Sequence, residues 1–101
     1  MTAAYLAREE VLGILKRYKA EFAKQYGVTA LGLFGSVARG ESTAVSDVDV
    51  VVRMREPNLF YMVHIKDTLE GALHGHVDII HYRKKMNPFL KKRIDRDAVY
   101  V

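Results

Sequence analysis

The sequence predicts an α/β (α+β) chain, a small mixed β-sheet with helices packed on it. Two observations carry that reading. Segments whose apolar residues recur at helical spacing alternate with short apolar runs of strand length. Glycine, proline and asparagine punctuate the junctions between them. The 101 residues make one domain, 1–101, half hydrophobic and 28% charged, which is a globular mixture. A domain this small folds with a thin margin and has no room for a separate substrate domain. If it is an enzyme, part of its active-site wall is expected from a partner or a second copy.

The first helix is expected from about Ala3 to Tyr26, with Ala7, Val11, Ile14, Tyr18 and Phe22 on one face and Gly27 as its stop. VTALGLFG follows as a buried strand ending at Gly35. SVARGE reads as a short helical turn broken by Gly40, and DVDVVVRM as the second strand. Pro57 and Asn58 open a helix whose stripe is Leu59, Met62, Ile65, Leu69 and Leu73, closed by Gly75. HVDIIHY is a third strand. Asn87-Pro88 then supplies an N-cap and first-turn pair for a short last helix through Ile94. The tail AVYV is apolar for a terminus, and reads as an added strand edge, a partner contact or ordinary docking onto the core.

Composition removes several classes of function. With no cysteine, disulfides and thiolate metal sites are excluded, which suits a reducing cytoplasm. Arg8, Glu9 and Glu10 interrupt the N-terminal apolar residues, so no signal-peptide core is expected. No apolar stretch approaches membrane-spanning length. The net charge of +4 and pI near 9.4 suit nucleotide, nucleic acid or an acidic protein as partner, and equally an ordinary basic surface.

The chemistry gathers in FGSVARGESTAVSDVDVVVRM. Side chains alternate along a strand, so Asp47, Asp49 and Val51 share one face while Val48, Val50 and Val52 look into the core. The two carboxylates then project together, about 6–7 Å apart. They repel each other and raise one another's pKa unless a cation stands between them. Hard divalent cations such as Mg²⁺ prefer oxygen ligands and keep waters that a phosphate can replace. Asp78 repeats the pattern in the third strand. If that strand pairs beside the second, Asp78 completes a three-carboxylate cluster suited to two-metal phosphoryl or nucleotidyl transfer. Gly35 and Ser36 add the phosphate side: a strand turning into a helix exposes backbone N–H groups, glycine allows close approach, and the hydroxyl donates. Arg39, one turn on, is balanced between a phosphate contact and a structural salt bridge.

Competing motifs fail on inspection. There is no G-x-x-x-x-G-K-[ST], and GLFGSVARG does not spell G-x-G-x-x-G. An EF-hand loop from Asp47 would need glycine and glutamate where Val52 and Asn58 stand.

Gly35-Ser36, then Asp47-x-Asp49 ahead of apolar residues, and a later strand with Asp78 resemble the nucleotidyltransferase fold of the DNA polymerase β superfamily. The short length, GSVARGE…SDVDVVV and the ending HVDII…RIDRDAVYV resemble its minimal nucleotidyltransferases, the MntA-like antitoxin group. This resemblance spans essentially the whole chain. It implies ATP as donor, two Mg²⁺ ions on Asp47, Asp49 and Asp78, and Gly35 and Ser36 on the triphosphate. It also implies an acceptor tyrosine on a partner HEPN-type toxin, which becomes AMP-modified and inactive.

Simpler readings stand beside these. A lone Asp47 would cap a turn or pair with Arg39, but three acids with Gly-Ser form a motif. Ser46 reads as a turn residue, since no histidine base stands at a suggestive spacing. His74, His76 and His81 lack a repeated ligand spacing and read as surface or helix-end residues rather than a zinc site. The basic run Arg83, Lys84, Lys85, Lys91, Lys92, Arg93 and Arg96 reads as a solvated face; without interleaved aromatics it does not favour nucleic acid. Two other functions fit the chain: a nucleotide-binding antitoxin that acts by occlusion alone, and a basic nucleic-acid adaptor.

Overall fold

The computed structural model describes residues 7–41 and 47–101. Helix α1, Arg8–Tyr26, buries Val11, Leu15 and Phe22, with Ile14 and Tyr18 packed around them. Gly27 ends it at φ 69°, a left-handed conformation open to glycine, and its N–H returns to the carbonyl of Ala23. Ala7, expected on the apolar face, is instead the exposed N-cap in extended conformation, so α1 begins at Arg8; residues 3–6 of the expected helix and the turn role of Ser46 lie outside the described residues.

Strand β1, Val28–Phe34, runs into the short helix α2, Gly35–Ala38. Strand β2, Val48–Met54, is antiparallel to β1 and parallel to β3, Val77–His81. Parallel neighbours need a crossover, and α3, Leu59–Leu73, supplies it. The Asn58 side chain caps α3 by accepting from the Tyr61 N–H at 3.1 Å. His74, rather than Gly75, takes the left-handed cap position at φ 54°.

Helix α4, Pro88–Asp97, runs three residues beyond the expected Ile94. Asn87 accepts from the N–H groups of Phe89 at 2.9 Å and Leu90 at 3.1 Å, and Pro88 fills the first turn where no donor is needed. The tail forms β4, Val99–Tyr100, antiparallel to β1, so the sheet order is β3-β2-β1-β4. Of the roles open to the tail, it takes the strand edge. Gly32 makes room: a Cβ there would come within 2.9 Å of the Tyr100 ring.

The sheet is covered on both sides. Val48, Val50, Val52, Leu31 and Leu33 pack against α1 and α3. On the opposite side Phe34, Val51 and Ile94 form a second, smaller core beneath α4. Val51 is therefore fully buried on the face it shares with Asp49. The mixed sheet and packed helices predicted from sequence are thus present, with one strand more. No helix among the described residues is long and apolar enough to cross a membrane.

Candidate active site

Asp49 is the inner acid of the site. The β1–β2 register places it opposite Phe34, at the point where β1 turns into α2. The β2–β3 register places it directly beside Asp78. In-register neighbours in a sheet point to the same side, so the two carboxylates share a face. Asp47 precedes the strand by one residue, and both it and Asp78 are exposed, whereas Asp49 is half-buried. Its carboxyl is pushed above the usual carboxylate range, chiefly by burial and then by the negative charge of Asp78, with Asp47 adding to the rise. Arg93 and Arg39 oppose the shift.

Gly35 closes the site from beneath. It holds φ 78°, a left-handed value, and a Cβ there would run into the Asp49 carboxylate, standing 3.0 Å from Cγ and 3.3 Å from Cβ. The glycine is needed for both the turn and the close approach of the acid. Ser36, half-buried, follows in the first turn of α2, whose leading N–H groups have no intrahelical acceptor.

The Arg39 guanidinium lies against Glu41 at 2.9 Å and Asp97 at 3.0 Å, which ties α2 to the end of α4. Arg96 also grips Asp97 through two hydrogen bonds, at 2.9 and 3.0 Å. Those Arg96 bonds, with Arg39 assisting, hold the Asp97 carboxyl at about 2, below its ordinary 3.8. A lowered carboxyl stabilises the fold above its unfolded pKa, and the contribution fades as pH falls toward the folded value. The acid limb of a stability–pH curve is thus expected to flatten between about pH 4 and 2 in Asp97→Asn. Thermal melts across that range check this; an unchanged slope contradicts it.

Arg93 was missed as an individual residue, since the basic run of which it is part reads as a solvated face. Its neighbour Ile94 is buried under the sheet, and this anchors Arg93 close enough to lower the Asp49 pKa. Lys91 and Tyr82 are engaged elsewhere: the Tyr82 hydroxyl donates to Asp95 at 2.8 Å, Arg53 covers its ring at 4.6 Å, and Lys91 lies 3.7 Å from Asp95. Among the histidines, His74 caps α3 and His76 is exposed. His81 is held below its ordinary pKa by burial and by Arg83 and Arg53.

Among the described residues, no three Asp, Glu or His side chains are gathered closely enough to grip an ion as placed. The donor chemistry nevertheless suits a hard cation. Asp49 and Asp78 are adjacent oxygen donors whose mutual repulsion a divalent ion would turn into shared attraction, with Asp47 at the rim.

Residues 16–101 match the family model described as "Polymerase beta, Nucleotidyltransferase". The chain belongs to this nucleotidyltransferase family. It is 35% identical over 99 residues to protein adenylyltransferase MntA of Thermococcus cleftensis, covering 97% of this chain and 99% of that protein. A solved structure described as a candidate minimal nucleotidyltransferase matches with TM-score 0.78 and 30% identity, covering 93% of this chain and 95% of that one. The fold also matches a structure of the tri-AMPylated HEPN toxin of Shewanella oneidensis in complex with MNT antitoxin, with TM-score 0.67 and 14% identity, over 92% of this chain and 70% of that one. The chain is thus a minimal nucleotidyltransferase of the MntA-like group.

Proposed function

We propose that this nucleotidyltransferase moves AMP from ATP to a hydroxyl of a partner protein, a tyrosine of a HEPN-type toxin, and so serves as its antitoxin. The observation that carries the reading is the glycine-floored Asp49 with Asp78 beside it in register. The protein adenylyltransferase name of the Thermococcus cleftensis relative and the AMPylated toxin in the Shewanella oneidensis complex support the class of acceptor.

Each residue has a role in such a transfer. The Gly35 and Ser36 N–H groups and the Ser36 hydroxyl hold the triphosphate, which glycine lets approach the main chain. Asp47, Asp49 and Asp78 would hold two Mg²⁺ ions. When bound, these supply charge neutralisation for the triphosphate and a lower pKa for the acceptor hydroxyl. Asp78, exposed at the rim, orients the acceptor hydroxyl and takes up its proton. The acceptor oxygen forms a bond to the α-phosphorus, the bond from that phosphorus to the bridging oxygen breaks, and pyrophosphate leaves. Arg39 serves the site through α2 and α4, which its ion pairs join.

Incubation with α-labelled ATP, Mg²⁺ and a co-purified HEPN partner should label the partner with wild-type protein and not with Asp47→Ala. Equal labelling by both sinks the assignment. Binding of ATP and Mg²⁺ to the native state should also raise the wild-type melting temperature with ligand concentration.

A further inference from the structure

Strand β3 is an open edge of the sheet, and the transfer reaction as described leaves that edge unused. The Tyr82 N–H donates to the Val52 carbonyl at 2.9 Å, and the His76 carbonyl accepts from Val48 at 3.0 Å. Main-chain groups alternate along a strand, so those of Val77, Ile79 and His81 turn outward. Glu70 takes the Val77 N–H at 3.0 Å. Ile79 and His81 direct theirs toward a groove of about 570 Å³ between the first turns of α3 and α4. Leu59, Met62, Ile79, Ile80, Met86 and Leu90 form its apolar lining.

Edges are ordinarily blunted by charge, proline or a bulge. Beside this one, Pro57 and basic Arg83 stand together with large apolar side chains left in solvent. Leu59, at the groove, is 80% exposed, and Phe60 and Phe89 beside the lining residues are 78% and 79% exposed. Apolar surface gathered in this way marks an interaction site. Charge defines its partner. No Asp or Glu is among the described lining residues, while Arg83 lines the groove and exposed Lys84 and Lys85 follow it. A second copy would bring the same cations against these, which disfavours self-pairing.

We propose that the β3 edge receives an extended segment of a partner protein in which apolar and acidic residues alternate, added as a fifth strand. Its main chain pairs with Ile79 and His81, its apolar side chains enter the groove, and its carboxylates meet Arg83, Lys84 and Lys85. Asp78 lies next to Ile79 on the same strand, so, on the proposed transfer reading, a segment docked here brings its adjoining residues to the carboxylates.

A labelled peptide of alternating valine and glutamate tests this by fluorescence anisotropy. It should bind saturably, weaken with added salt, and lose at least about tenfold in affinity, roughly 1.4 kcal/mol, in Leu59→Glu and separately in Arg83→Glu. Both substituted side chains are exposed, so the variants should fold. Bound peptide should slow amide exchange at Ile79 and His81. Absence of saturable binding, equal binding of a valine–lysine peptide, unchanged exchange at those amides, or self-association abolished by Leu59→Glu each overturns the proposal. Partner labelling that persists at the wild-type level in Leu59→Glu, without peptide binding, overturns the docking surface alone. Peptide binding by wild type that labels no partner overturns the transfer reading alone.

Discussion

Asp49→Asn is expected to abolish AMP transfer while leaving the protein at least as stable as the wild type. Asp49 is the acid the fold holds most closely, with Gly35 beneath it and Asp78 alongside. Removing one group from a preorganised charge-stabilising site costs about 10²–10³-fold in kcat, and a loss of that size or larger is expected here. Stability should move the other way. Burial and the neighbouring acids raise the folded pKa of Asp49, so the folded state binds that proton more tightly than the unfolded chain does. Ionised Asp49 therefore works against folding at neutral pH, and acidification through its raised pKa relieves the cost. Asparagine removes the charge at every pH. Without added metal, the variant should melt above the wild type at pH 7, and the difference should shrink in acid. The paired readout separates chemistry from unfolding: a variant that loses activity and melts well below the wild type at pH 7 contradicts this account.

Most of the scaffold was legible in the sequence because its signals are local. The helical stripe Met62, Ile65, Leu69 and Leu73, the asparagine caps and the apolar strands each report on a few neighbouring residues, while Leu59, expected on the same stripe, stands 80% exposed at the start of α3. What was hidden depends on which elements meet. Val51 sits on the aspartate face, and nothing in DVDVVVRM shows that α4 will cover it; Ile94, more than forty residues later, does so. Strand β4 is two residues long, too short for periodicity, and exists because Gly32 lets Tyr100 lie on β1. For the site, the Gly-Ser and Asp-x-Asp spacing pointed to the chemistry, but the pairing of Asp78 with Asp49 depended on β3 lying beside β2, a condition that the parallel register meets. Arg39 shows the opposite outcome. Sequence left it between phosphate and salt bridge, and the fold supplies it with two carboxylates, Glu41 and Asp97.

Gly35→Ala is expected to damage stability and transfer together, for two separable reasons. The first is conformational: at φ 78° any residue with a Cβ is strained, at a cost of about 1–3 kcal/mol. In a domain of this length each kcal/mol lowers the melting temperature by roughly 4–8 °C. The second is contact. The new Cβ would occupy space held by the Asp49 carboxylate, and either the acid swings away or the β1–α2 turn shifts. Both responses spoil the arrangement proposed to bring phosphate and carboxylate together, so transfer should fall by about a hundredfold or more. A double-mutant cycle distinguishes the two. In an Asp49→Ala background the clashing carboxylate is gone while the left-handed strain remains. Gly35→Ala should then destabilise the protein by less than it does in the wild type, and the difference measures the contact. Strictly additive stabilities would show that the glycine serves the turn alone. In the coupled case one residue does two jobs, bending the chain from β1 into α2 and leaving its missing side chain's place to the acid.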